Sequence, residues 1–135
     1  MRDEPTGEQL LDTARTLLRE ELLPALPADR KHAALMIANA MSIAIRQLHN
    51  GDAGERKEIE SLCGLLDRRA EVSSEASASD LRQQLKVLNR EFSRRIRAGE
   101  ADSGPWGQAA LAHLRTVIRT KVLESNPKYL MERAG

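Results

Sequence analysis

Apolar residues recur along this chain with a period near 3.6, and the pattern divides into five helical segments. In the first, Leu10, Leu11, Ala14, Leu17, Leu18 and Leu22 follow the i, i+3, i+4, i+7 spacing of one apolar face. Thr6 or Gly7 can open it, Glu8 suits the positive end of the helix dipole, and Pro24 and Pro27 end it. The second starts at Asp29, a good N-cap, and runs to about His49, where Asn50-Gly51 supplies a stop. Its apolar arc is broad: Ala33, Ala34, Ile37, Ala38, Ala40, Met41, Ala44, Ile45 and Leu48. A helix apolar over most of its circumference is normally central, so this one is expected to be the hub of the bundle.

The third segment covers about 54–70, with Ile59, Leu62, Cys63 and Leu66 inward. Residues 71–79 are small and polar without an apolar period, which predicts a mobile loop. The fourth begins near Ser79-Asp80, carries Leu81, Leu85, Leu88, Phe92 and Ile96 on one stripe, and closes at Gly99. The fifth opens at Ser103-Gly104-Pro105 and sets Trp106, Ala110, Leu111, Leu114, Val117, Ile118 and Val122 on one side. Asn126-Pro127 stops it, leaving 127–135 as a tail. No strand-like alternation or internal repeat interrupts the series. The pattern predicts an all-α, single-domain bundle of about five helices over residues 1–135.

Composition sharpens this picture in two respects. Phe92, Trp106 and Tyr129 are the only aromatic residues, so the core must be aliphatic, which suits close helix packing and offers few rings for stacking on bases. The 21 basic and 20 acidic side chains leave a net charge of +1, giving no long-range attraction to nucleic acid or to anionic lipid. The longest apolar-rich run, 33–45, is too short to cross a bilayer, and the N-terminus lacks the apolar stretch of a signal peptide. With one cysteine no internal disulfide forms, and a cytoplasmic protein is the expectation.

Catalytic signatures are missing: there is no phosphate-cradling glycine loop, HExxH, CxxC or Gly-x-Ser-x-Gly. His32, His49 and His113 cannot share one helix face, and Cys63 reads as a buried structural thiol. No catalytic residue, cofactor site or metal site is assigned. Three polar features remain. On the second helix His32, Asn39 and Arg46 recur every seven residues and align within about 40°. Flanked by Leu35, Met36 and Ile43, they either face solvent or satisfy neighbouring backbone groups inside the bundle, or else form a strip that docks a partner. Glu21 falls on the apolar face of the first helix, where pairing with Arg30 or His32 is expected. On the fourth helix Lys86, Arg90, Arg94 and Arg97 form a basic face, either solvated or an anchor for phosphate or an acidic partner.

Taken in order, several runs resemble a known family. They are Leu17-Leu18-Arg19-Glu20-Glu21-Leu22-Leu23-Pro24-Ala25-Leu26; His32 onward to Leu48 with Asn39 and Arg46; Leu88-Asn89-Arg90 leading to Ile96-Arg97-Ala98-Gly99-Glu100; Leu111-Ala112-His113-Leu114-Arg115; and Lys121 onward to Asn126-Pro127-Lys128-Tyr129. Together they are similar to bacterial small helical domains of unknown function that occur near aminoglycoside-phosphotransferase-like kinases and acyl-CoA dehydrogenases. The resemblance implies a non-catalytic accessory subunit supporting a kinase that acts on hydroxyacyl-CoA in acid catabolism, with the nucleotide site on the kinase. Alternatives are a self-associating helical protein, such as a homodimer, and an acyl-CoA-binding module. Neither nucleic acid nor membrane is an expected partner.

Overall fold

The computed structural model describes residues 4–69 and 72–132. Among these the regular elements are all helical, as the periodicity predicts. Contacts gather the chain into two compact units, Met1–Gly51 and Asp52–Gly135.

The first unit is a helical hairpin. Helix α1, Gly7–Leu17, opens with a capping box: Gln9 N–H donates to Thr6 Oγ1 at 3.3 Å and Thr6 N–H to Gln9 Oε1 at 2.7 Å. It continues through a π-helical turn, Leu18–Leu22, and a last turn, Leu23–Ala25. Pro24 accounts for the wide turn: it has no N–H to continue the ladder, and its ring clashes with the carbonyl four residues back, a clash that an extra residue in the turn relieves. Leu23 N–H accordingly donates five residues back, to Leu18 O. Leu26 is extended, as a residue before proline prefers. Helix α2, Ala28–Asn50, then returns for 23 residues and stops at Gly51, whose φ of 60° favours glycine.

The two helices run antiparallel. Glu8 and His49 lie 3.4 Å apart, and Leu48 reaches the backbone at Gly7. The seam between them uses Glu8, Leu11, Arg15 and Leu18 from α1, all half-buried, and Ala34 and Ala38 from α2, both buried. This corrects two expectations. Leu10, Ala14 and Leu17, read as part of the inner face of the first helix, are exposed. The second helix is not the hub: Ile37 and Leu48 are 51 % and 55 % exposed, and the largest buried cluster contains none of its residues. A pair of helices can enclose only the stripe between them, so a broad apolar arc necessarily spills beyond it.

The second unit holds α3 (Ala53–Leu65), α4 (Ala78–Arg97), α5 (Gly104–Ser125) and α6 (Pro127–Glu132). Ile59, Leu62, Cys63 and Leu66 meet Leu81, Leu88, Phe92 and Ala110 in one buried cluster, with Leu85, Ile96 and Trp106 packed against it. The stripes expected on the third and fourth helices are therefore the core. The fifth helix is rotated from its expected face: Ala110 and His113 are buried, whereas Leu111, Leu114 and Ile118 are exposed. Its apolar residues occupy more than one side, and packing selects the small side chain at Ala110 for the close approach.

Helix α3 ends at Leu65 rather than near residue 70; Ala70 itself lies outside the described residues. Asp67 adopts a left-handed φ of 55°, and Arg68 N–H returns to Cys63 O at 2.9 Å, the six-to-one bond of a Schellman termination. The freed carbonyl of Leu65 accepts from Trp106 Nε1 at 2.9 Å and from Arg95 Nη1 at 3.0 Å, so one helix end is capped by side chains of two others. Arg95 also lies 5.7 Å from the centre of the Trp106 ring and 3.4 Å from Glu100.

Of the predicted mobile loop, Glu71 lies outside the described residues. The segment 72–77 has defined partners: Val72 and Ala76 pack against the core, and Arg56 donates to the carbonyls of Ser73, Ser74 and Ala76 at 3.0–3.4 Å while Asp52 holds it at 2.9 Å. Ser77, two residues ahead of the predicted start, caps α4 through a box with Asp80. The turn before α5 requires Gly107, where a Cβ would come within 2.4 Å of Ala101 O. The predicted tail is helical through 127–132; residues 133–135 lie outside the described part.

Candidate functional site

The seam on α2 is on the outside of the hairpin. At about 100° per residue, His32, Asn39 and Arg46 point away from Ala34 and Ala38. His32, Leu35, Met36 and Asn39 are exposed, while Ile43 and Arg46 are half-buried. These six positions therefore share one outer side of the helix, with apolar Leu35 and Met36, 43 % and 55 % exposed, beside polar groups. Glu21 is also exposed, and among the described residues neither pairing expected for it, with Arg30 or with His32, is formed; Arg30 lies 3.5 Å from Asp29.

On α4, Lys86, Arg90, Arg94 and Arg97 are all exposed on one arc, and Arg82, one turn earlier, extends it. Sequence reasoning left Arg82 out, although its i−4 spacing from Lys86 was readable. None of the five makes an ion pair among the described residues, unlike Arg15, Arg56, Arg68 and Arg95. The two carboxylates of α4 are engaged elsewhere: Asp80 in the N-terminal cap and Glu91 with Arg68. The Ser77 hydroxyl and N–H hold the Asp80 carboxyl below its ordinary range.

A third grouping was not legible in the sequence, because its members are 52 residues apart. Buried His113 on α5 shares a 2.8 Å hydrogen bond between Nδ1 and Ser61 Oγ on α3, and its ring meets Phe92 edge-on at 5.4 Å. Burial lowers the His113 pKa below 6.5 despite the opposing charge of Glu58; Lys121, 3.7 Å from Glu58, adds to the lowering. The imidazole is thus neutral at pH 7. It lines a shallow, open depression with Gly64, Leu65, Ala109, Ala112 and Thr116. Neither Ser61 nor His113 stands near a free backbone N–H, since both are inside helices whose N–H groups are used in the helix ladder. Among the described residues no carboxylate hydrogen-bonds the ring, so the pair lacks the third member and the oxyanion donors of acyl-transfer sites. Burial likewise raises the Cys63 thiol, which keeps it protonated and unreactive. No group of three His, Cys, Asp or Glu among the described residues is placed to hold a metal.

A family model described as a domain of unknown function, DUF6285, matches residues 24–129. The chain belongs to this family. The DUF6285 match includes the α2 seam, the α4 basic face and the Ser61–His113 pair, and begins at Pro24, beyond Gly7–Leu17. No curated protein and no solved structure matches the chain. None of the described helices is long and apolar enough to cross a membrane.

Proposed function

We propose that this protein is a non-catalytic binding subunit of the cytoplasm, and that its partner is a kinase of the aminoglycoside-phosphotransferase type acting on hydroxyacyl-CoA in acid catabolism. The observation that carries the binding role is the outer side of α2, where Leu35 and Met36 remain exposed beside His32 and Asn39. Apolar groups interleaved with hydrogen-bonding ones are the composition of an interface. The choice of partner rests on the resemblance carried by the order and spacing of the runs from Leu17 to Tyr129. In this reading the kinase binds nucleotide and magnesium, and the present chain stabilises or positions it.

Co-expression with a kinase of this type tests this. A complex that survives gel filtration at micromolar concentration, and is weakened at least tenfold by Leu35→Asp or Met36→Asp, is the expected result. Separate elution, with the kinase fully active alone, rejects it. The unpaired cations of α4 favour a second reading, an acyl-CoA-binding module whose basic face holds the phosphates. Thermal stabilisation by CoA thioesters, lost in Arg90→Gln, is its signature.

A further inference from the structure

Helix α4 concentrates positive charge in a chain that is otherwise balanced. It holds six of the 21 basic side chains and two of the 20 acidic ones. Both acids are engaged inside the fold, Asp80 in the cap and Glu91 with Arg68, and Arg95 turns to Leu65 O. Left facing outward are Arg82, Lys86, Arg90, Arg94 and Arg97, with no carboxylate of α4 among them. At 100° and 1.5 Å per residue they occupy an arc of about 120° and a length of about 22 Å, the first four rising about 6 Å per step. Within a single helix this row is unfavourable. Arg82 and Lys86, Lys86 and Arg90, and Arg90 and Arg94 are like charges four residues apart, which repel. The helix dipole favours Arg94 and Arg97 in the last turn, but it does nothing for Arg82, Lys86 and Arg90, which stand earlier. An opposite charge laid along the row relieves the repulsion.

We infer that the α4 arc docks an acidic helical segment of a protein partner, one whose carboxylates stand three or four residues apart. Three features select this occupant. The rise of about 6 Å between cations equals the rise between carboxylates four apart on another α-helix, so the two rows stay in step. Four of the five cations are arginines, whose planar fork pairs with a carboxylate through two N–H groups. Val87, 47 % exposed at the edge of the arc, adds an apolar contact of the kind that protein interfaces set among polar groups. Other anions fit less well. The phosphates of a single CoA would meet only part of a row ~22 Å long. No aromatic side chain stands on the arc to stack on bases, and with Val87 as its one large apolar group nothing inserts into a lipid surface. The inference rests on α4 alone and is independent of the docking side of α2.

Fluorescence anisotropy with the full chain tests it. The probe is a labelled helical peptide with glutamate at every fourth position, compared at equal ionic strength with its glutamine counterpart, a short DNA duplex, phosphatidylserine vesicles and CoA. The glutamate peptide should bind at micromolar concentration and weaken as salt is raised, while the glutamine peptide should not bind. Lys86→Glu and Arg90→Glu should each weaken binding by about tenfold, whereas Arg115→Glu, the same charge change at an exposed position of α5, leaves it unchanged. Because Lys86→Glu replaces repulsion by attraction along α4, it should melt no lower than wild type, which separates lost binding from lost folding. Should a glutamate variant unfold, Arg90→Gln takes its place, and unchanged binding there is a rejection. No binding of the glutamate peptide at low salt, equal binding of the glutamine peptide, an equal loss in Arg115→Glu, or tighter binding to DNA, vesicles or CoA overturns the inference. A kinase complex that is broken by Leu35→Asp, in a chain that ignores the peptide, removes this inference and leaves the proposed function standing; peptide binding by a chain that ignores the kinase does the reverse.

Discussion

In Asp52–Gly135 the aliphatic side chains of three helices converge, whereas in Met1–Gly51 two helices carry comparable side chains and bury almost none of them. Ile59, Leu62 and Leu81 have no exposed surface, but in the hairpin only Ala34 and Ala38 are buried among the described residues. The difference is one of geometry rather than composition. Three helices surround a volume; two share a line of contact, and everything off that line faces outward. Polar chemistry follows the same division. In the second unit Trp106 and Arg95 cap the end of α3, Arg56 gathers three loop carbonyls, and His113 reaches Ser61, all between separate elements. In the hairpin Glu8 of α1 meets exposed His49 of α2. The second unit is thus stabilised from within, and the first has surface left over for binding.

The contrast is broken most strongly at Leu62. Leu62→Ala should cost about 2–5 kcal/mol, because a fully buried leucine leaves a cavity, whereas Met36→Ala on the hairpin should change stability by less than about 0.5 kcal/mol. Urea melts give both values, and equal losses would mean that the hairpin is as tightly enclosed as the core. Next in size is Gly107→Ala, where the new methyl group meets Ala101 O; a loss of about 1–3 kcal/mol is expected, against a near-neutral Gly64→Ala, which has open space beside it.

Caps probe the two units with the same chemistry. Ser77→Ala should lower global stability by about 1 kcal/mol, since α4 belongs to the core. Thr6→Ala removes an equivalent cap from α1 but should mainly raise amide exchange in its first turns, with little change in the global melt. The smallest effect is pH-dependent. The His113 pKa is lower in the folded chain than its ordinary 6.5, so as pH falls the unfolded chain takes up the proton first. This contribution to stability is fully present above pH 6.5 and is lost as pH falls from there through the depressed folded value. His113→Gln should flatten that slope in melts collected from pH 7.5 to 5; an unchanged slope would assign it to other groups.

Much of the fold was legible. The stripes Ile59–Leu62–Cys63–Leu66 and Leu81–Leu88–Phe92 face the core as their 3.6-residue spacing requires, and Gly51, Gly99 and Pro105 stand at helix ends where backbone chemistry puts them. The candidate site was legible only as a pattern: the basic arc of α4 is exposed as its charges demand, whereas the spacing of the α2 seam did not say whether it faces outward, and there His32 and Asn39 are exposed while Arg46 is half-buried. The Ser61–His113 bond and the capping of Leu65 O were not, because they join residues 52 and 41 apart and leave no local pattern.

What the sequence determined by itself is where each long helix begins, to within about two residues, and which of its residues prefer to avoid water, since these depend on neighbours within a few positions. What only the tertiary structure decided is which apolar face is covered. Leu10 and Leu11 are equally hydrophobic neighbours on one helix, yet Leu11 turns into the seam and Leu10 is 56 % exposed. Hydrophobicity states a preference for burial, but the number and placement of surrounding helices determine whether there is anything to bury against.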